Sequence, residues 1–326
     1  METSRGANLP LMDGSPVDAL SRYRGAILGL AAGDALGTTL EFTERGQFEP
    51  ITDMVGGGPF NLQPGQWTDD TSMMLCLAES LLECGAFDPI DQLSRYVRWK
   101  RDGHNSSTGR CFDIGGTVMK ALARFERFSE PWSGSTDAYS AGNGSLMRLA
   151  PVPLFFAHDP ELAVANAALS SKTTHAHPEA VDACRYMAGL IVGALQGRSK
   201  EDLLLTTFAP RPRLWTVYPL APAIARVANG TYLQEQPPII RGDGYVTRSL
   251  EAALWAFARS TSFEDGALLA VNLGEDADTT GAVYGQLAGA YYGVDAIPER
   301  WRVKLAKLEL LESTARRLCD AAERFA

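Results

Sequence analysis

Glycine recurs at every fourth position in two distant segments of this chain, and this repeat limits how the chain can fold. The two sets are Gly25, Gly29, Gly33, Gly37 and Gly281, Gly285, Gly289, Gly293. Residues four apart lie on one face of an α-helix, so each segment predicts a helix with a smooth stripe. A glycine inside a helix costs roughly 0.5 to 1 kcal/mol relative to alanine, and close approach of another backbone would offset that cost. We expect both helices to lie deep in a helical bundle, where each could pack against the other.

Stripes of small residues also occur where membrane-spanning helices pair, which offers an alternative interpretation. Asp34 interrupts the first stripe, and neither segment is long enough to cross a bilayer. A span needs about 18 or more apolar residues, and no such run occurs anywhere in the sequence. We therefore predict no membrane span.

Helical periodicity extends through most of the chain. Apolar residues recur at spacings of three and four in residues 19–40, 71–82, 116–125, 160–170, 178–195, 250–258, 263–271 and 303–325. Loops rich in glycine and proline separate these segments, and alternating strand patterns are scarce. The sequence predicts a single all-α domain over residues 18–326, preceded by a flexible extension over residues 1–17.

Composition and charge exclude several classes of function. The net charge is -9 and no run of lysine or arginine stands out, so direct binding of nucleic acid is not expected. The five cysteines are scattered without a CxxC pair, which favours reduced thiols in a cytosolic protein. The first 16 residues lack the apolar core of a signal peptide. We expect a cytoplasmic protein.

Two acidic clusters, each leading into an apolar helical stretch, carry the chemistry. Thr68, Asp69 and Asp70 form the first, and the second contains Asp276, Asp278 and Thr279. Crowded carboxylates repel one another, and a helix N-terminus offsets only about 0.3 to 1 kcal/mol each, so a divalent cation is the natural neutraliser. Hard oxygen donors favour Mg²⁺ or Mn²⁺ over zinc. The two clusters look like two halves of one metal site.

Each cluster alone would be an ordinary solvated acidic turn. Asp276 and Asp278 are two residues apart and would point to different faces of a helix, so we expect an irregular turn to aim both at one centre. This expectation places the ligands in a loop.

Five motifs, taken together and in order, resemble the ADP-ribosylglycohydrolase family. They are GDALG at 33–37, WTDDT at 67–71, SAGNGSLMR at 140–148, THAHP at 174–178 and GEDADTTG at 274–281. The resemblance runs from about residue 22 to 301 and, partly through CFDIG at 111–115, is greatest to the dinitrogenase reductase-activating glycohydrolase type. It implies an all-α orthogonal multi-helix bundle with a centre of two Mg²⁺ or Mn²⁺ ions.

The resemblance assigns roles to individual residues. It makes metal ligands of Thr68, Asp69, Asp70, Asp276, Asp278 and Thr279. Glu41 follows the GDALG motif and would lie near the metals and the ribose, whereas Asp113 matches an acid beside the scissile bond in arginine-specific relatives. Glu41, Asp113 and Asp278 are the candidate catalytic residues. Without the family, Glu41 would equally suit an exposed helix end.

A second set of residues is assigned to substrate. These are Gly115, Gly142, Asn143, Gly144, Ser145, His175 and Tyr245. The 142–145 turn offers backbone N–H groups that suit a diphosphate, although alone it would be a plain loop. His175 and His177 could suggest zinc, but no third nitrogen or sulfur ligand lies nearby, and His177 is expected to cap or pack against the next helix. Tyr245 either stacks on adenine or packs in the core.

The function implied is a hydrolase that removes mono-ADP-ribose from protein side chains, arginine above all. Its partners would be an ADP-ribosylated protein and ADP-ribose. Two alternatives stay open: hydrolysis of serine-linked ADP-ribose or O-acetyl-ADP-ribose, and a non-catalytic protein that binds ADP-ribose or serves a structural role. The number of apposed carboxylates argues against the last, since a bundle kept only for packing has little use for them.

Overall fold

A computed structural model describes residues 17–324, and helices dominate this part of the chain. The α-helices are α1 (Ala19–Gly37), α2 (Asp69–Cys84), α3 (Pro89–Asp102), α4 (Gly116–Phe128), α5 (Pro151–Phe155), α6 (Pro160–Lys172), α7 (Pro178–Leu195), α8 (Lys200–Leu203), α9 (Leu214–Val217), α10 (Pro222–Ala228), α11 (Val246–Arg259), α12 (Phe263–Val271), α13 (Ala277–Tyr292), α14 (Glu299–Arg302) and α15 (Leu308–Glu323). Single 3₁₀ turns lie at Thr38–Leu40, Ala138–Ser140, Thr231–Leu233 and Val294–Ala296. Within residues 17–324 only isolated bridges occur in place of strands, so the all-α prediction is confirmed there.

Helices α1 and α13 pack backbone to backbone along the two glycine stripes. A methyl group added to Gly29 would overlap the carbonyl oxygen of Gly285, and one added to Gly285 would overlap that of Gly29. Gly33 meets Gly281 in the same way. The prediction that both helices lie deep in the bundle is confirmed, and the two helices contact each other directly. The approach of the two backbones is what offsets the cost of helical glycine.

The remaining helices surround this central pair. Helix α13 also packs against α7, α11 and α12, while α1 packs against α15. The α13 side chains from Ala277 to Ala290 are buried without a break, so this helix has no solvent-facing side over that length. Side chains at the N-terminal ends of α2 and α13 are therefore held by the centre of the core and not by surface loops.

Two features of the sequence prediction need correction. The predicted helix at 303–325 is interrupted, because residues 303–307 form turns and α15 begins at Leu308. Lys307, just before it, has a left-handed φ of 46°, which a continuous helix does not allow. Helix α3 was not predicted. The proposed extension at 1–17 lies outside the described residues except for Val17, and no described helix is both long and apolar enough to cross a membrane.

Candidate active site

The two acidic clusters meet where the N-termini of α2 and α13 come together. Thr68 Oγ1 lies 3.1 Å from Asp278 Oδ2 and 3.2 Å from Asp70 Oδ2. Asp276 immediately precedes α13, whereas Asp278 lies inside its first turn, and Asp69 and Asp70 begin α2. The expectation that these residues lie in a loop is therefore wrong for Asp69, Asp70, Asp278 and Thr279, which lie inside the two helices. Because the acids sit at helix starts, the helix dipoles favour their negative charge.

Asp34 holds the start of α2 in place, although sequence reasoning assigned it no role beyond the GDALG motif. Its carboxylate accepts from the backbone N–H of Thr68 at 2.9 Å and of Thr71 at 3.0 Å. Both threonine hydroxyls also contact it, at 3.0 Å and 2.6 Å. Asp34 thus caps α2 although it lies in α1, the helix that packs against α13. Its signal in the sequence is an acid set among the glycines of a buried stripe.

Asp34→Asn should destabilise the fold and weaken cation binding together. Asparagine has one acceptor oxygen where aspartate has two, so its NH₂ group would face one of the two backbone N–H donors. A backbone N–H cannot accept a hydrogen bond, so that donor would be left unpaired at a cost of about 1 to 3 kcal/mol. Urea denaturation in EDTA and calorimetric Mn²⁺ titration measure the two effects. Asp18→Asn is the matched control, because Asp18 caps α1 at an exposed site where asparagine caps as well as aspartate. Equal unfolding midpoints for the two variants would contradict the assigned role.

Three candidate catalytic carboxyl groups converge on one point. Glu41, Asp113 and Asp278 each place an oxygen within 4.8 Å of the others. Glu41 follows the 3₁₀ turn at the end of α1 and is buried, while Asp113 precedes α4 with a left-handed φ of 58°. The sequence reasoning assigned Asp113 to substrate and Asp278 to metal, and the structure places them side by side.

Burial makes this cluster unfavourable as a set of free anions. Burial, with the charge of Asp113 next, raises the pKa of Glu41 to about 11. Burial likewise raises the pKa of Asp113 to about 7 and that of Asp34 to about 6. The pKa values of Asp69, Asp70 and Asp278 lie well above the ordinary range for the same cause, and that of Asp276 is also raised. Without added positive charge, several of these groups must hold protons at neutral pH.

The donor set fits hard divalent cations. Within residues 17–324, Glu41 Oε2, Asp70 Oδ1 and Asp278 Oδ1 are buried oxygens that lack a hydrogen-bond partner. The single hydroxyl proton of Thr68 cannot serve all three carboxylate oxygens around it, at 3.0 to 3.2 Å. Unpaired buried oxygens are costly, and a cation with oxygen ligands would satisfy several at once. No thiol or imidazole belongs to this group of carboxyls.

A cavity of about 650 Å³ opens over the acids. Its floor includes Glu41, Asp69, Asp113, Asp276 and Thr279, while the more deeply buried Thr68, Asp70 and Asp278 lie beneath. The volume is in the range of sites for small molecules and cofactors. Gly115, at the start of α4, also lines the cavity, as do Gly142, Asn143 and Gly144.

The 142–145 turn positions Asp276 and makes room for the ring of His175. Asn143 Nδ2 donates to Asp276 Oδ2 at 2.6 Å and to Ser249 Oγ at 2.8 Å, so this side chain positions an acid. The glycines leave room for His175, since a Cβ at position 144 would lie 2.9 Å from His175 Cε1. Ser145 is buried beside Ser171 at 2.8 Å and does not line the cavity.

His175 lines the cavity as a neutral hydrogen-bond donor. Burial, then the charge of Arg148, lowers its pKa to about 3. Arg148 donates to Thr174 Oγ1 at 2.6 Å, so the threonine proton is free to go to His175 Nδ1 at 2.9 Å. With Nδ1 as the acceptor of that bond, the His175 proton would be on Nε2, beside Gly142. A neutral N–H aimed into the cavity suits a ribose or phosphate oxygen.

Tyr245 is not one of the cavity-lining residues. Its ring is 38% exposed, so the core-packing alternative does not hold, and its hydroxyl donates to Glu179. The preceding Gly244 does line the cavity and accepts the backbone N–H of Asn143 at 3.2 Å. His177 caps α7, as expected, by accepting from the backbone N–H of Glu179.

Comparison with known proteins places this geometry in context. The family model "ADP-ribosylglycohydrolase" matches residues 15–325. An ADP-ribosylarginine hydrolase, Tri1, from Pseudomonas putida (strain GB-1) is 45% identical over 94% of this chain and 80% of its own length. The ADP-ribosyl-[dinitrogen reductase] glycohydrolase of Rhodospirillum rubrum is 33% identical over 92% of this chain and 95% of its own length. A solved structure titled "ADP-ribosylglycohydrolase-related protein complex" superposes with a TM-score of 0.82, at 45% identity, over 93% of this chain and 99% of that one.

Proposed function

Because this chain belongs to the ADP-ribosylglycohydrolase family, we propose that it removes ADP-ribose from modified arginine side chains of proteins, in a reaction that requires two divalent cations. The family resemblance of the motifs is confirmed, and the chain is an ADP-ribosylglycohydrolase enzyme. The proposal rests above all on the convergence of Glu41, Asp113 and Asp278 beneath a cavity of substrate size. Two relatives named ADP-ribosylarginine hydrolase, at 45% and 42% identity, support arginine as the acceptor.

The acidic half-sites supply the ligands for the cations. The residues are Thr68, Asp69, Asp70, Asp276, Asp278 and Thr279, which α2 and α13 bring together. Mg²⁺ or Mn²⁺ suits their oxygen atoms. Two such ions, held by these residues, would supply Lewis acids that orient the sugar and lower the pKa of a water molecule.

The protein groups then divide the remaining work. The buried carboxyl of Glu41 would accept the proton of the attacking water, which adds to C1 of the ribose as the bond to nitrogen breaks. Asp113 would hold the leaving guanidinium through charged hydrogen bonds. The leaving nitrogen would take the electron pair of the broken bond and then the proton that water gave to Glu41, so the group departs as arginine. Asn143 keeps Asp276 in place, and the Nε2–H of His175 would donate to the ADP-ribose.

Substitution of two of the convergent acids separates these roles. Asp278→Ala should bind Mn²⁺ at least about tenfold more weakly and lose turnover, because a carboxylate at a shared centre is removed. Asp113→Ala should retain more of the Mn²⁺ affinity while losing turnover on ADP-ribosyl-arginine peptides. Calorimetric titration gives the affinities, and mass spectrometry of arginine- and serine-linked peptides gives turnover and linkage.

The outcomes discriminate sharply between assignments. If Asp113→Ala binds Mn²⁺ as poorly as Asp278→Ala, Asp113 belongs to the metal site and not to the substrate. Cleavage of serine-linked peptides but not arginine-linked ones by the wild type would exclude arginine as the acceptor. If both variants cleave arginine-linked peptides at the wild-type rate, the proposed mechanism is wrong.

A further inference from the structure

Three phenylalanines, one of which lines the cavity, form a cluster that we call the aromatic rim. The ring of Phe42 lies 6.4 Å from that of Phe60, which lies 5.1 Å from that of Phe112. Phe42 lines the cavity and is 68% exposed, while Phe60 and Phe112 are half-buried. A phenylalanine this exposed at the opening of a site is not used for packing the core.

The chain couples this rim to the catalytic acids. Phe42 directly follows Glu41, and Phe112 directly precedes Asp113. Two acids that meet beneath the cavity therefore each have a neighbour in one aromatic cluster. The backbone of Phe42 is held in place, since its N–H donates to the carbonyl of Glu275 at 2.6 Å. It adopts a left-handed φ of 60°, which a bulky residue rarely takes.

The mouth beside the rim is acidic. Seven carboxylic acids line the cavity, four on its floor and three, Glu44, Asp243 and Glu275, elsewhere, and the single lysine or arginine that lines it is Arg241. The guanidinium of Arg241 is already paired with Glu275 at 2.9 Å. Asp243 is paired with Arg248, which leaves Glu44 as an exposed acid of the mouth next to Phe42. An exposed carboxylate two residues after Phe42 in the chain favours a cationic group on this side of the cavity.

We propose that the aromatic rim is the acceptor-side subsite, where the ring of Phe42 holds the guanidinium group of the target protein's arginine side chain. The assignment rests on the proposed function for its substrate class. An N-linked guanidinium remains a planar cation, and such a group stacks on aromatic faces, whereas a serine linkage offers neither charge nor plane. Glu41 and Asp113 would lie on the side of this guanidinium that faces the cavity floor. The rim would select for arginine, and the ADP-ribose would occupy the wall formed by His175 and the glycines.

Binding of unmodified peptides tests the rim apart from catalysis. In the presence of Mg²⁺ and saturating ADP-ribose, an arginine-containing peptide is titrated calorimetrically, and its match carries citrulline, which has the same shape without charge. Wild type should prefer arginine, and Phe42→Leu should reduce that preference by about two- to thirtyfold, the range of a cation over an aromatic ring. Phe42→Trp should keep the wild-type preference, while any preference that is left in Phe42→Leu reflects the carboxyl of Asp113. Leucine meets the same left-handed backbone as phenylalanine, so the substitution leaves the fold intact.

A matched control and a second readout complete the test. Phe128→Leu removes another exposed ring, 57% exposed on α4 and outside the cavity lining, and should leave both peptide affinities unchanged. Affinity for ADP-ribose alone should be equal in wild type and Phe42→Leu. An arginine preference that is as large in Phe42→Leu as in wild type, or that is absent from wild type, overturns the rim. A preference that depends on Phe42 in a protein unable to cleave ADP-ribosyl-arginine would support the rim and refute the proposed reaction.

Discussion

Chelation of divalent cations should reduce hydrolysis of ADP-ribosyl-arginine by about a thousandfold or more. Stabilisation by a catalytic cation is worth several kcal/mol, and each 1.36 kcal/mol corresponds to a factor of ten in rate. The structural ground is the set of buried oxygens on Glu41, Asp70 and Asp278 that have no hydrogen-bond partner within residues 17–324. Turnover is measured in EDTA and after addition of Mg²⁺ or Mn²⁺ in excess. Full activity in a metal-free sample would exclude the two-cation proposal.

Cation binding should also stabilise the fold, and more so as pH rises. A hundredfold excess of cation over its dissociation constant adds about 2.7 kcal/mol to the free energy of unfolding. In the cation-free protein, burial raises the pKa of Asp34 to about 6 and of Asp113 to about 7, from an unfolded value of 3.8. Their stabilising contribution is complete below pH 3.8 and is lost as pH rises to about 7. The cation replaces these protons, so its effect grows over that interval.

The readout should be the difference between the unfolding free energies with Mg²⁺ and with EDTA, at pH 5.5 and pH 8. His175 changes stability in the opposite direction, because its folded pKa is about 3 while the ordinary value is 6.5. The unfolded chain takes up that proton as pH falls below 6.5, so the folded state loses stability on acidification. Its contribution cancels in the difference, since it is present with and without cation. A difference that shrinks from pH 5.5 to pH 8 would contradict the assignment.

The architecture could be predicted where the signal was local and periodic. Glycine at every fourth position marks one face of a helix, and close packing of another backbone suits such a face. The pairing of α1 with α13 could therefore be predicted from the two glycine repeats. The two acidic clusters were identified as halves of one site because crowded carboxylates repel one another, and a shared divalent cation would neutralise both clusters. The glycine contact brings Gly37 of α1 against Ala277 and Asp278, and Asp34 of the same helix binds the start of α2, so α1 lies between the two clusters and brings them together.

Other features depend on contacts that no local pattern encodes. Asp34 is a single acid within a helix, and its purpose appears only when Thr68 and Thr71 are folded onto it. The aromatic rim draws on positions 42, 60 and 112, which share no spacing. The break at 303–307 escaped detection because apolar residues keep helical spacing through it. Hydrophobic period marks which side of a segment is buried, and it does not mark where the backbone turns.

Gly285→Ala should be the most damaging small substitution in the fold. Alanine gains about 1 kcal/mol of helix propensity over glycine, which would stabilise an exposed position. Here the new methyl group would overlap the carbonyl oxygen of Gly29, and a backbone atom in the next helix cannot rotate aside. Relief requires α1 and α13 to separate, at a cost of about 3 kcal/mol or more after the propensity gain. Urea denaturation in EDTA measures this loss.

The same separation of α1 and α13 should also disturb the active site. This second effect distinguishes loss of the contact between the two helices from a defect confined to position 285. Asp278 lies on α13 seven residues before Gly285, and Asp34 lies on α1 five residues after Gly29. Moving the helices apart therefore pulls the two acidic half-sites apart, and Mn²⁺ affinity in any folded fraction should fall by about tenfold or more. Gly116→Ala is the matched control, because a methyl group there meets only open space at the start of α4, and stability should stay level or rise slightly. Equal stability and equal Mn²⁺ affinity in Gly285→Ala and wild type would mean that the glycine contact does not set the geometry of the metal site.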